Sequence, residues 1–136
     1  DPNESIQLQG FTGPFIQYTH ARIRAIIRKA ESQSITPTAA DVGSVTSLET
    51  SERDVLNLLS LYEIKVKEAA KEHSPAVIAN YAFELAKEYN KFYQNIPIFS
   101  EADQAKLKFR IAFSGGVAHT IRKSMELVAI DVPDKM

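Results

Sequence analysis

Two segments of the chain concentrate cations with no acid between them. Residues 22–29 hold Arg22, Arg24, Arg28 and Lys29, and residues 104–123 hold Lys106, Lys108, Arg110, Arg122 and Lys123. In the first, Tyr18, Arg22, Ala25 and Lys29 recur at i, i+4, i+7 and i+11, which sets an aromatic ring and two cations on one helix face. That pairing suits single-stranded RNA. An unpaired base offers a π face for a ring, a neighbouring guanidinium holds phosphate, and each stacked base contributes about 1–3 kcal/mol. Asn90 and Tyr93 offer a second such place, an amide with donor and acceptor for a base edge beside another ring. A plainer reading stands beside this one. Tyr81, Tyr89 and Phe92 follow an apolar stripe and are expected in the core. A run of arginines is commonly a solvated face, and pattern alone places Tyr18 and Tyr93 equally well in core or solvent. Other chemistry has no support in the residues. His20, His73 and His119 lie far apart with no Glu-x-x-His, the Gly115-Gly116 pair precedes no Gly-Lys-Ser/Thr, and no Gly-x-Ser-x-Gly occurs. These patterns give no metal site, phosphate loop or nucleophile, and so no catalytic centre.

Helices must position the cations and rings. Residues 1–13, with Pro2, Gly10 and Gly13, read as a loop. Pro14 suits the first position of a helix, and Ile16, Ile23, Ile26, Ile27 and Ala30 carry its apolar face to about Glu31. Residues 32–50 are small and polar, with Pro37 and Gly43, and read as a connector holding at most a short turn. Ser51 with Asp54 resembles a capping box that opens a helix over 51–72, with a break near Tyr62. Ser74 as N-cap and Pro75 restart the chain into a helix that stops before Pro97. Ser100 with Asp103 opens the last long helix, whose stripe runs from Leu107 through Ile111, Ser114, Ala118, Ile121 and Met125 to Val128. Gly115 and Gly116 lie inside it. Each costs about 1 kcal/mol relative to alanine, which predicts a bend or the close approach of another helix. With no strand alternation and no repeat, the expected fold is an all-α bundle of about five helices.

Composition bounds the rest. The 136 residues are 44% hydrophobic, carry 16 basic and 17 acidic side chains, and contain no cysteine or tryptophan. A chain of this length buries roughly two-thirds of its unfolded surface, so one helical domain over residues 1–136 is expected without cross-links. The lack of cysteine excludes disulfides and fits a reducing compartment. No apolar run approaches the ~20 residues that cross a bilayer, and no charged-then-apolar leader opens the chain. The expectation is a cytoplasmic protein with no membrane partner. A formal charge of −1 opposes indiscriminate coating of nucleic acid, DNA included, because such binding needs a broad positive field. The opening Asp1-Pro2-Asn3 has no initiator methionine, as expected of a piece of a longer protein.

The stretch GFTGPFIQYTHARIRAI resembles the start of the C-terminal, DALR-type anticodon-binding domain of arginyl-tRNA synthetases. The family's Gly-Pro-aromatic-aliphatic-Gln-Tyr-x-His-Ala-Arg falls on Gly13, Pro14, Phe15, Ile16, Gln17, Tyr18, His20, Ala21 and Arg22. SPAVIANYAFELAKEYNKFYQNIPI is similar to the second signature, with Asn80-Tyr81 and then Asn90, Phe92 and Tyr93. The ending, an arginine-containing helix, Val132-Pro133 and a final Met136, is similar as well. Two departures are plain: the usual Leu-Gly-Ile is Val128-Ala129-Ile130, and residues 32–50 match nothing in the pattern.

The resemblance implies a helical domain that grips the anticodon stem-loop of arginine tRNA. It implies too that an upstream class I catalytic domain activates arginine with ATP and esterifies the tRNA. The His-Ile-Gly-His and Lys-Met-Ser-Lys-Ser signatures of that domain do not occur in these residues, so no cofactor is expected here. Tyr18 and Tyr93 would stack on or fence splayed bases, with Asn90 beside them. Arg22 would support the loop backbone, and Met136 would set its terminal carboxylate near a base. Gln17 and His20 would contact the catalytic domain. The competing expectation is a helical protein-interaction module whose aromatic face docks a partner helix and shows no RNA preference.

Overall fold

The computed structural model describes residues 12–128, and among them it has six helices and no strand. They are α1 (Gly13–Ser32), α2 (Ala39–Gly43), α3 (Thr50–Ser60), α4 (Tyr62–Glu72), α5 (Pro75–Asn95) and α6 (Gln104–Leu127). Five carry the expected stripes, and the sixth, α2, is a single turn inside the connector. Pro14 and Pro75 stand in the first turns of α1 and α5, where a missing N–H costs nothing. Two helices end without glycine. Ser34 (φ 58°) and His73 (φ 51°) take left-handed backbone, and the following amides, Ile35 and Ser74, bond back to Ala30 O at 2.9 Å and Ala69 O at 3.0 Å. This is the Schellman closure that turns a chain sharply off a helix.

Three helix starts differ in detail from expectation. The last helix is capped by Asp103, whose Oδ1 accepts from the Ala105 and Lys106 amides at 3.0 and 3.3 Å, not by Ser100. Ser74 occupies the N-cap of α5 but makes no side-chain capping bond. The helix expected from Ser51 begins at Thr50, with Glu49 as N-cap and the Glu52 Oε1 accepting the Glu49 amide at 2.8 Å. The reason lies in the tertiary structure. Glu52 is buried and its other oxygen is held by Arg110 Nε at 3.1 Å, so its carboxylate is already aimed at the start of α3. In the connector, Thr38 and Asp41 cap α2 reciprocally, and the Asp41 carboxyl reaches Lys108 of α6 at 3.7 Å.

Helix α5 is the axis of the core, touching α1, α3, α4 and α6. Its Tyr81, Leu85, Tyr89 and Phe92 are buried, together with Ile16, Ile23 and Ile26 of α1 and Phe109, Phe113, Val117 and Ile121 of α6. Phe92 meets Phe113 edge-on at 5.0 Å, a geometry that suits ring quadrupoles, and lies tilted against Tyr89 at 5.5 Å. Buried hydroxyls find acceptors. Tyr81 donates to Leu58 O at 2.7 Å, and Tyr89 donates to Ser114 Oγ, which donates to Arg110 O. Burial pushes the Tyr81 phenol up to about 12 and raises Tyr89 as well, so both stay protonated donors. Helix α6 runs unbroken through Gly115 and Gly116. A methyl on Gly115 would meet Ile27 Cδ1 at an ordinary 3.6 Å and one on Gly116 would meet nothing, so neither glycine is required by a close approach.

A buried charge cluster closes the bundle at one end. Arg110, 2% exposed, binds Glu52, the Pro97 carbonyl at 2.8 Å and Glu101 at 2.9 Å. It thereby ties α3, the α5–α6 loop and α6 together. Arg110→Ala leaves Glu52 buried and unpaired and is expected to cost about 3–5 kcal/mol in urea unfolding. The Asp103 amide first, and Arg110 beside it, hold the Glu101 carboxyl below its ordinary 4.5. Its contribution is therefore complete above 4.5 and lost as pH falls through the depressed value, and Glu101→Gln should flatten the acid limb of a stability–pH curve. In the other direction, Gly116→Ala is expected to stabilise by about 0.5–1 kcal/mol, read as a higher urea midpoint at unchanged slope.

Candidate nucleic-acid interface

Helix α1 and the end of α5 bring four of the sequence candidates together. Tyr18 and Tyr93 project from the surface at 47% and 40% exposure, and the Arg22 guanidinium lies between them, 4.8 Å and 4.3 Å from the two ring centroids. Arg22 Nη2 donates to the Tyr18 hydroxyl at 2.8 Å, and Nη1 donates to Asn90 Oδ1. The question left open by pattern is thus settled by geometry: both tyrosines are surface rings, held apart by a cation. Tyr81, Tyr89 and Phe92 are core.

Asn90 sits where two helices meet. It is 8% exposed, and its Nδ2 donates to Thr19 Oγ1 at 2.7 Å and to Ala86 O at 2.8 Å. Thr19 in turn donates to Phe15 O at 3.0 Å. With Oδ1 accepting from Arg22, every polar group of the amide is engaged within the protein. The expectation that Asn90 presents a free edge to a base is therefore corrected: it fixes Arg22, and through Arg22 it spaces the rings. Arg22 likewise braces the two tyrosines rather than standing clear of them. His20 is 2% exposed, which leaves little surface for another domain, while Gln17 is half-buried one position before Tyr18. Met136 lies outside the described residues.

The rings border a groove of about 950 Å³ between α1 and the 96–100 loop. Tyr18, Arg22, Ala25 and Lys29, the face expected from spacing, all line it, with Arg28 and Tyr93 beside them and Pro97 and Phe99 opposite. Among its described lining residues are three cations and no acid. Sequence reasoning missed Phe99 and the loop wall. Ile96-Pro97-Ile98-Phe99 directly after the Tyr93 helix was the available signal, since Pro97 ends the helix and turns the next residues across its end. The second cationic segment does not form one face. Arg110 is internal, Lys108 pairs with Asp41, and Lys123 Nζ covers the Tyr62 ring at 4.5 Å.

A family model described as the DALR anticodon binding domain matches residues 16–136, and the chain belongs to that family. An arginine–tRNA ligase of Flavobacterium psychrophilum is 45% identical over 136 residues, all of this chain and 22% of that protein. One of Bacteroides thetaiotaomicron is 43% identical over 137 residues, all of this chain and 23% of that protein. A solved arginyl-tRNA synthetase of Thermus thermophilus superposes with a TM-score of 0.79 at 29% identity, covering 98% of this chain and 23% of that one. The chain thus spans less than a quarter of the length of these relatives.

The Asn90 web makes a prediction about the site's own stability. Asn90→Leu leaves Thr19 and Ala86 without their donor and should cost about 1–3 kcal/mol in urea unfolding. Arg22→Ala, at the solvent end of the same web, should cost less than about 1 kcal/mol. Equal losses would mean that the web is not anchored at Asn90.

Proposed function

We propose that this chain binds the anticodon stem-loop of arginine tRNA as the single anticodon-binding unit of a longer, cytoplasmic arginine–tRNA ligase. The activation of arginine by ATP and its transfer to tRNA belong to an upstream catalytic domain, with Gln17 as a candidate contact to it. The observation that carries the reading is a groove headed by two exposed tyrosines around Arg22, with three cations and no acid among its described lining residues. Unpaired loop bases stack on rings of this kind, and the cations lining the wall suit the phosphates that follow. Family membership supports the same ligand. Tyr81, Tyr89 and Phe92 lie in the core and are not offered to a partner helix.

Binding to an arginine tRNA anticodon stem-loop and to a scrambled-loop control, at low and moderate salt, tests the proposal. A preference for the arginine loop is expected. Tyr93→Ala should weaken binding by about 1–3 kcal/mol, the worth of one stacked base, with helical content unchanged. Wild-type affinity in the folded variant would remove Tyr93 from the interface.

A further inference from the structure

The groove continues past the tyrosine pair to a second cation–ring contact. Lys29 Nζ lies 4.4 Å from the Phe99 ring centroid, with Lys29 exposed on α1 and Phe99 half-buried in the facing loop. Lys29 follows Arg22 by seven residues on the same helical face, about 10 Å at 1.5 Å per residue. That distance matches roughly three steps of a stacked strand at 3.4 Å per nucleotide. Lone surface lysines need no explanation, but this one is parked on a ring in the same groove as the tyrosines, which has no acid among its described lining residues.

Resting on the anticodon reading above, we propose that Lys29 and Phe99 form a second nucleotide subsite. It takes an unpaired nucleotide about three positions from the one at the tyrosines, with Lys29 moving from the ring to the phosphate and Phe99 meeting the base. The cation–π contact of the free protein is then replaced by a phosphate contact and a stacked base. The groove is then a track for a short single-stranded run rather than a pocket for one base.

The test compares Lys29→Gln, Phe99→Leu and Tyr93→Ala in the 136-residue chain, titrated with the arginine anticodon stem-loop across a salt series, after circular dichroism confirms folding. The subsite predicts that Lys29→Gln weakens binding several-fold and reduces the slope of log affinity against log salt by about 0.7, one phosphate on a single strand. Phe99→Leu should lower affinity at unchanged slope. Wild-type affinity and slope in Lys29→Gln, while Tyr93→Ala weakens binding, would overturn the subsite and leave the anticodon reading standing. A weaker Lys29→Gln with an unaltered slope, or Phe99→Leu at wild-type affinity, would also overturn it. Wild-type binding in all three variants would remove the groove as the RNA site altogether.

Discussion

A buried amide cannot be left with unmet hydrogen bonds, and at Asn90 meeting them fixes the relation between two helices. Its donors reach Thr19 on α1 and the backbone of α5, and its acceptor takes Arg22, so two of its three bonds cross from α5 to α1. Apolar packing alone is tolerant of small rotations, because burial is roughly proportional to area and has no direction. Hydrogen bonds between a fixed amide and fixed partners are not tolerant. The Asn90 web thus sets the rotation of α1, and with it the placing of Tyr18 opposite Tyr93.

A related requirement governs the loop just past α5, where charge is buried. Arg110 keeps Glu52, Glu101 and a loop carbonyl satisfied at once, and the loop so held is the one that turns into the groove wall. The two polar clusters therefore act on one surface from different sides. One orients the helix that carries the cations, and the other anchors the loop that faces them. Between them lies an aromatic core in which Tyr89 links Ser114 and the Arg110 backbone.

A guanidinium between two phenol rings is a compact way to keep aromatic surface in water without collapse. Left alone, two neighbouring exposed rings would stack on each other or fold onto apolar surface. With Arg22 between them and bonded to Asn90, their outer faces stay presented. Side chains ordered before a ligand arrives have less rotamer freedom to lose when it binds.

Helical periodicity, Pro14, Pro75 and Pro97 sufficed to determine the all-α class, the approximate span of four long segments and the face of α1 that carries Tyr18, Arg22 and Lys29, because these depend on local geometry repeating every 3.6 residues. The opening and Asn-x-Phe-Tyr motifs placed Tyr18 and Arg22 on one helix and Asn90 and Tyr93 on another, and the structure brings these four together. Only the tertiary structure decided that Asn90 is a strut, that Arg110 belongs to the core rather than to a basic face, that α3 starts on Glu49, and that Phe99 faces Lys29. Each of these depends on a partner 9 to 71 residues distant or on the other side of a turn. Residue type and spacing record what a side chain can bond to, and the packing of helices against one another selects which bond it makes.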